Sequence, residues 1–151
     1  MIDRRPARIL AMQAMCQLEV LAEDFLPQLH EFLAEEPHKA AIRDYARDLV
    51  RDAWANLADL DRRIQEVAEN WELKRMPAVD RNILRVAACE LFHRPDVPPV
   101  VVIDEAVEIG KAFGTGESGA FINGILDALV KRRETEANPQ PKPSGANNGT
   151  V

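Results

Sequence analysis

The strongest constraint on the fold is a helical repeat of apolar residues that runs through most of the chain. In the first segment these residues recur every three or four positions, at Ala7, Leu10, Ala11, Ala14, Leu18 and Leu21. Similar spacing continues over residues 42–71, 79–91, 102–110 and 121–129. No segment shows the alternation with turn residues that is typical of strands. The pattern predicts an all-α protein of about seven helices.

Prolines and glycines set the expected helix boundaries. Pro6 suits a first helical turn, where a missing N–H costs little, and prolines at 27 and 37 bracket a short helix. Asp59 or Asp61 is predicted to cap a new helix after a break beyond Leu57. The prolines at 77, 95, 98 and 99 bound the following two helices, and a glycine turn at 114–116 precedes the last. That helix is expected to open at Glu117 or Ser118.

Composition favours one globular domain followed by a tail. Aromatic residues make up only 5% of the 151 residues, so the core must consist mainly of Leu, Ile, Val and Ala. Trp54 and Trp71 lie on apolar faces and are predicted to be buried. From Glu134 onward, Pro, Asn and Gly dominate. We therefore expect a helical domain over residues 1–133 and a disordered tail over 134–151.

Several classes of function are disfavoured. Cys16 and Cys89 lie far apart and the histidines are scattered, so neither a disulfide scaffold nor a metal site is expected. No apolar run approaches the ~20 residues of a membrane span, and no secretory signal follows the N-terminal arginines, so the expected compartment is the cytoplasm. No nucleophile–base pair or phosphate-loop motif is present. A non-enzymatic protein without a cofactor is predicted.

Charge places a limit on nucleic-acid binding. The net charge of −6 argues against a protein that coats nucleic acid by charge alone, so RNA binding would need a local basic patch. Arg4, Arg5 and Arg8 form such a group and could hold phosphates. The alternative is a solvated, frayed N-terminus.

The glycine turn is a second candidate site. Lys111 and Phe121 flank it, exposed N–H groups there could hold a phosphate, and an exposed Phe121 ring could stack on an unpaired base. Alternatively, Phe113 and Phe121 are core residues. Burial is favoured for Phe113, and Phe121 stays open. Asn123 and Gly124 are interpreted as packing residues, with Gly124 permitting a close helix approach.

Charged residues within the later helices have two interpretations. Asp80, Arg81, Arg85 and Glu105 could form a polar surface for a protein partner or pair within the chain. Internal pairing is favoured for Arg85 and a partner surface for Asp80.

Three motifs follow one another in the second half of the chain, at residues 75–91 (RMPAVDRNILRVAACEL), 97–114 (VPPVVVIDEAVEIGKAFG) and 121–127 (FINGILD). In this order they resemble the transcription antitermination factor NusB family, and residues 7–17 are a weaker match. The resemblance covers roughly residues 4–132. It implies two small helical subdomains packed side by side.

The resemblance also implies a function. Members of this family bind the boxA element of nascent ribosomal RNA together with the small-subunit ribosomal protein NusE, and the pair joins an RNA polymerase antitermination complex. The resemblance adds Gln13 and Glu117 as RNA-binding candidates. The five candidates named above are Arg4, Arg5, Arg8, Lys111 and Phe121. Cys16 stands where the family often has an aromatic residue, and Asp104 stands in place of an asparagine.

Two other functions stay open at this point. One is a protein-interaction module or homodimer that binds no RNA. The other is a stand-alone domain of this type that assists a ribosomal RNA methyltransferase on a separate chain.

Overall fold

A computed structural model describes residues 3–35 and 38–137, apart from the side chains of Glu23, His30, Glu35 and Ala137. Within these residues the chain forms seven α-helices and no strand, which confirms the predicted fold class. The helices are α1 (Arg5–Leu21), α2 (Leu26–Glu35), α3 (Ala40–Ala55), α4 (Leu57–Val67), α5 (Ala78–His93), α6 (Pro99–Phe113) and α7 (Ser118–Ala137). Single 3₁₀ turns at Ala22–Phe25 and Leu73–Arg75 precede α2 and α5.

Helix α5 is the centre of the molecule. It contacts α1 and α3, which precede it in the N-terminal part of the chain, and also α4, α6 and α7. Every residue from Asn82 to Leu91 is buried, so this helix has little polar face. A helix that is buried almost all round must be surrounded by other helices. This arrangement joins the two helical halves through one apolar core.

The break between α3 and α4 lies at Asn56. Its backbone N–H and its side-chain amide both donate to the carbonyl oxygen of Asp52, at 3.0 and 2.8 Å. Helix α4 then begins at Leu57, with Asp59 already inside its first turn and without a side-chain capping bond. The prediction that Asp59 or Asp61 caps this helix is therefore wrong. The break comes earlier because Asn56 closes α3.

Helices α6 and α7 approach closely because of two glycines. A Cβ atom at Gly110 would lie 2.6 Å from Ile122 Cδ1, and one at Gly114 would lie 2.3 Å from Ser118 Oγ. Gly124, in contrast, is exposed, and a Cβ there would meet nothing within 4 Å. Asn123 is exposed as well. The interpretation of these two residues as packing residues is wrong.

Two further expectations need correction. Trp71 is 59% exposed, whereas Trp54 is half-buried against the core as predicted. Helix α7 continues to Ala137, four residues beyond the predicted end of the domain, and the rest of the predicted tail lies outside the described residues.

No helix within the described ranges is both long and apolar enough to cross a membrane.

Candidate nucleic-acid interface

Arg8 is buried in an internal ion pair. Its side chain points into the interface of α1 and α5, where Nε and Nη2 lie 2.6 and 2.9 Å from the two carboxylate oxygens of Glu90. The hydroxyl of Tyr45 donates to the same carboxylate at 2.6 Å. Because Arg8 is only 5% exposed, it has almost no surface to offer a phosphate. The prediction that Arg8 contacts RNA is therefore wrong.

Arg4 and Arg5 remain accessible at the start of α1. The Arg5 guanidinium pairs with both oxygens of Glu105, at 3.0 and 2.7 Å, and keeps nearly half of its side chain exposed. The Arg4 guanidinium stacks over the Tyr45 ring, 4.5 Å from its centroid. The hydrogen bond from Arg5 and the charges of Arg5 and Arg8 hold the pKa of Glu105 below its usual value. Glu105 therefore partly neutralises the basic group.

Gln13 lies two turns further along α1. It is half-buried and lines the same surface depression as Arg5 and His38. The α1 surface therefore offers a polar amide beside an exposed guanidinium. This position is compatible with the candidate role of Gln13 in RNA binding.

The glycine turn satisfies several of its own backbone N–H groups. Ser118 Oγ accepts the Thr115 N–H at 2.9 Å, the Ser118 N–H donates to the Thr115 carbonyl at 3.1 Å, and the Glu117 N–H lies 3.4 Å from Thr115 Oγ1. These bonds engage three backbone N–H groups, those of Thr115, Glu117 and Ser118, so the predicted phosphate site at the helix start loses part of its donors. Lys111 and Glu117 are exposed beside the turn, and Lys111 pairs with Glu108 at 3.1 Å.

Two aromatic side chains meet just after this turn. Phe121 is half-buried, and its ring packs edge-on against Trp71 with centroids 5.4 Å apart and planes at 77°. Phe113, at the end of α6, is 43% exposed. The prediction that Phe113 is a core residue is therefore wrong. Phe121 combines both interpretations, since one side packs internally while part of its ring stays accessible.

Asp80 anchors the start of α5 to the start of α7. Its carboxylate accepts a hydrogen bond from Ser118 Oγ at 2.7 Å, and the residue is only 4% exposed. The predicted role of Asp80 in an exposed partner surface is thus corrected. The sequence shows an acidic residue in the first turn of a helix, which is equally typical of a solvated position.

Arg81 and Arg85 form an internal network with two acidic residues. Arg81 Nε and Nη2 each lie 2.6 Å from a carboxylate oxygen of Glu19, and Arg81 Nη1 donates to the Met76 carbonyl at 2.7 Å. Arg85 holds Asp61 through two bonds of 2.8 Å and also contacts Glu19. The favoured internal pairing of Arg85 is confirmed. Both arginines tie α5 to α1 and α4 rather than forming an open partner surface.

The accessible candidates lie toward opposite ends of α5. The arginine group sits near Glu90, while the aromatic pair follows the turn that Asp80 anchors. The ten residues between these two anchors correspond to about 15 Å along a helix. The two groups are therefore separate sites along α5.

Comparison with known proteins identifies the family of this chain. The family model described as the NusB family matches residues 5–131. The transcription antitermination protein NusB of Desulforapulum autotrophicum is 46% identical over 129 residues, covering 84% of this chain and 90% of that protein. This chain belongs to the NusB family.

Solved NusB structures have the same fold. NusB from T. maritima superimposes with a TM-score of 0.74 at 37% identity, covering 89% of this chain and 98% of that one. A structure of the antitermination factors NusB and NusE in complex with double-stranded RNA matches with a TM-score of 0.77 at 26% identity, covering 85% and 96% of the two chains. The family resemblance predicted from the sequence is therefore confirmed.

Cys16 is partly enclosed by the fold. It is half-buried between α1 and α5, and the Asn82 side-chain amide donates to its sulfur at 3.4 Å. Burial raises the pKa of the Cys16 thiol.

Sequence reasoning missed the acidic partners of the arginines. Glu90 stands in the middle of an otherwise apolar run of α5, and a buried carboxylate needs a cationic or hydrogen-bonding partner. That position was the available signal for the Arg8 pair. The exposure of Trp71 had no comparable signal, because its spacing fits the apolar face of the preceding segment. In this NusB-family chain, exposed Trp71 is the main difference between the surface predicted from the sequence and the surface in the structure.

Proposed function

We propose that this chain is a transcription antitermination factor that binds boxA-type RNA of nascent ribosomal RNA transcripts together with the ribosomal protein NusE. The observation that carries the proposal is membership of the NusB family, with a related fold solved as a complex of NusB, NusE and RNA. The partly exposed Arg4 and Arg5 at the start of α1 support it. We further propose that it acts in the cytoplasm as a binding adaptor and catalyses no reaction.

The RNA contacts we propose are fewer than the sequence suggested. Arg4 and Arg5 supply cationic groups, and Gln13, Lys111 and Phe121 lie on accessible surface along α1 and at the α6–α7 turn. Arg8 acts as a support that fixes the start of α1 through Glu90. Glu117 is exposed but acidic, so we assign it no phosphate contact.

The charge of the molecule makes the partner necessary. A net charge of −6 repels phosphate at long range, and Glu105 offsets the charge of Arg5 locally. A basic ribosomal protein would add the missing positive field and extend the contact surface. Binding of RNA to the chain alone should therefore be weak, and the pair should bind it far more tightly.

A titration of boxA-type RNA tests this proposal. The RNA is titrated against the chain alone and against the chain with NusE, at one fixed salt concentration. We expect a large gain in affinity for the pair. Equal affinities would contradict the adaptor function and favour a module that binds no RNA or a self-contained binder.

The arginine contacts can be tested in the same assay. Replacing Arg4 and Arg5 together with Ala should weaken RNA binding. The slope of the logarithm of the binding constant against the logarithm of salt concentration should become shallower by roughly 0.7 for each phosphate contact that is lost. Arg51, an exposed arginine on α3, supplies the matched control, and Arg51→Ala should change neither quantity. An unchanged salt dependence in the double variant would contradict the assigned contacts.

A further inference from the structure

Trp71 is a large aromatic side chain that the fold holds at the surface. It lies between α4 and the 3₁₀ turn before α5 and is 59% exposed. Its contact with the Phe121 ring covers only part of it. Single exposed apolar residues are common, so exposure alone assigns no role to Trp71. The way in which its backbone is held is more informative.

Gln65 clamps the backbone on both sides of Trp71. Its side-chain amide donates to the Trp71 carbonyl at 2.7 Å and to the Ala68 carbonyl at 3.1 Å, while its oxygen accepts the Leu73 N–H at 2.8 Å. One side chain thus fixes the segment that carries the indole ring. Restricting such a segment in advance reduces the entropy lost when a ligand binds.

The surroundings of Trp71 are charged rather than apolar. Lys74 and Arg75 are exposed on the adjoining 3₁₀ turn, and the Arg75 side chain is 82% exposed. The acidic residues of the segment are Glu69 and Glu72, of which Glu72 lies 3.5 Å from Arg75. Leu73, the remaining large apolar residue of this segment, is buried.

This combination fits a nucleobase better than a protein surface. Single-stranded RNA is bound by aromatic rings that stack on bases, with cationic groups following the phosphates. A protein-binding tryptophan is usually the centre of a desolvated patch with packed neighbours. Here an open indole lies in a segment that carries two exposed cations as well as two exposed acidic residues, and its edge-on contact with Phe121 links it to the proposed RNA surface.

We propose that Trp71 stacks on an unpaired base of the bound RNA, with Lys74 and Arg75 contacting the flanking phosphates. The proposal rests on the RNA-binding function proposed above and extends that surface from Phe121 to the segment before α5. Phe121 supports the indole edge-on, and Gln65 positions it.

Fluorescence of Trp71 tests the stacking directly. In a Trp54→Phe variant of the full chain, Trp71 is the sole tryptophan and its emission can be followed while NusE and then single-stranded boxA-type RNA are added. We expect quenching when RNA is added. A shift to shorter wavelength on addition of NusE alone, with no response to RNA, would show that the indole binds the protein partner and would overturn the proposal.

Affinity measurements with the chain–NusE pair provide the second test. Trp71→Leu should weaken RNA binding roughly fivefold to a hundredfold, which corresponds to the usual contribution of one stacked base. Trp71→Phe should retain most of the affinity because it keeps a ring. Melting temperatures of both variants check that the fold is intact. Equal affinities of Trp71→Leu and the wild-type chain would overturn the proposal.

The cationic residues have a matched control. Replacing Lys74 and Arg75 together with Gln should lower the salt dependence of RNA binding, whereas Arg51→Gln should not, although Arg51 is similarly exposed and also has an acidic neighbour three residues away. Loss of binding in the Arg4 and Arg5 variant with none in Trp71→Leu would refute the stacking role while preserving the proposed function. Absence of RNA binding by the wild-type pair would refute both.

Discussion

Arg8 and Glu90 form a buried, doubly hydrogen-bonded ion pair that joins the start of α1 to the end of α5. Glu90 is 1% exposed and receives a third hydrogen bond from Tyr45 on α3. Three helices are thus fixed around one carboxylate. This arrangement also sets the position of Arg4 and Arg5, which precede Arg8 by one turn or less.

Loss of one member of this pair should be strongly destabilising. We expect Arg8→Ala to lower the free energy of unfolding by about 3–5 kcal/mol, because Glu90 would be left as a buried charge without its cation. The double variant Arg8→Met with Glu90→Leu should recover most of that loss. Urea unfolding measures both, with the exposed Arg51→Ala as a control that changes little. Equal stabilities of the single and double variants would contradict this explanation.

Glu105 should weaken RNA binding by holding Arg5. Replacing Glu105 with Gln removes the opposing charge at 2.7 Å and leaves a neutral amide oxygen, so the Arg5 guanidinium is held less tightly and can contact phosphate more readily. We expect severalfold tighter RNA binding by the chain–NusE pair at low salt. Asp48→Asn on α3, where the carboxylate pairs with Arg47 and Arg51 rather than with Arg5, removes the same net charge and is the control. A similar gain in both variants would indicate a general charge effect.

Acid should destabilise the fold through Glu19. Burial opposes its ionisation, but hydrogen bonds from Arg81 and Asn82 and the charges of Arg81 and Arg85 hold its pKa below the usual value of 4.5. Between the lowered folded pKa and the unfolded value, the unfolded chain binds more protons. The contribution of Glu19 is therefore present above about pH 4.5 and is lost as the pH falls through the folded pKa.

Urea unfolding between pH 3 and 6, a window of about 3 units around the ordinary carboxyl range, measures this dependence. The free energy of unfolding should fall toward the acidic end. In Glu19→Gln the decline should be shallower, because the group that titrates is gone. An identical acid slope in the two proteins would show that other carboxylates dominate.

Alanine should have opposite effects at Gly114, which caps the end of α6, and at Gly124 within α7. At Gly114 the added Cβ would lie 2.9 Å from the Gly110 carbonyl oxygen and 2.3 Å from Ser118 Oγ, so we expect a loss of about 1–3 kcal/mol. At the exposed, helical Gly124 there is open space, and alanine should stabilise α7 by roughly 0.5–1 kcal/mol. Thermal unfolding of both variants gives the comparison. Destabilisation by Gly124→Ala would indicate a contact that the structure does not show.

Most helices could be predicted from local signals. Apolar periodicity located them, and Pro6, Pro95 and Pro99 placed boundaries within a few residues, because proline acts through its own ring and missing N–H. The break before α4 was less predictable. Asn56 ends α3 by bonding back to Asp52, whereas Asp59 resembles a cap in the sequence but lies within the first turn of α4.

The candidate site was predicted less completely. Arg4, Arg5 and Phe121 lie on accessible surface, and Lys111 lies beside the turn as expected. Arg8 and Asp80 were misassigned because one is paired across 82 positions of sequence and the other across 38. Nothing in the sequence around Arg8 or Asp80 distinguishes a paired charge from a solvated one, and the only signal was the apolar setting of Glu90.

The sequence by itself determined the helical class, the family and the residue types at the basic helix start, since periodicity, proline positions and motif order are properties of neighbouring residues. The tertiary structure decided which charged side chains and which aromatic rings are accessible to solvent. Arg8 is buried while Arg5 is open, and Trp71 is exposed while Trp54 is packed. The physical reason is that burial depends on which other helix lies opposite a side chain. That pairing is set by contacts between residues far apart in the chain.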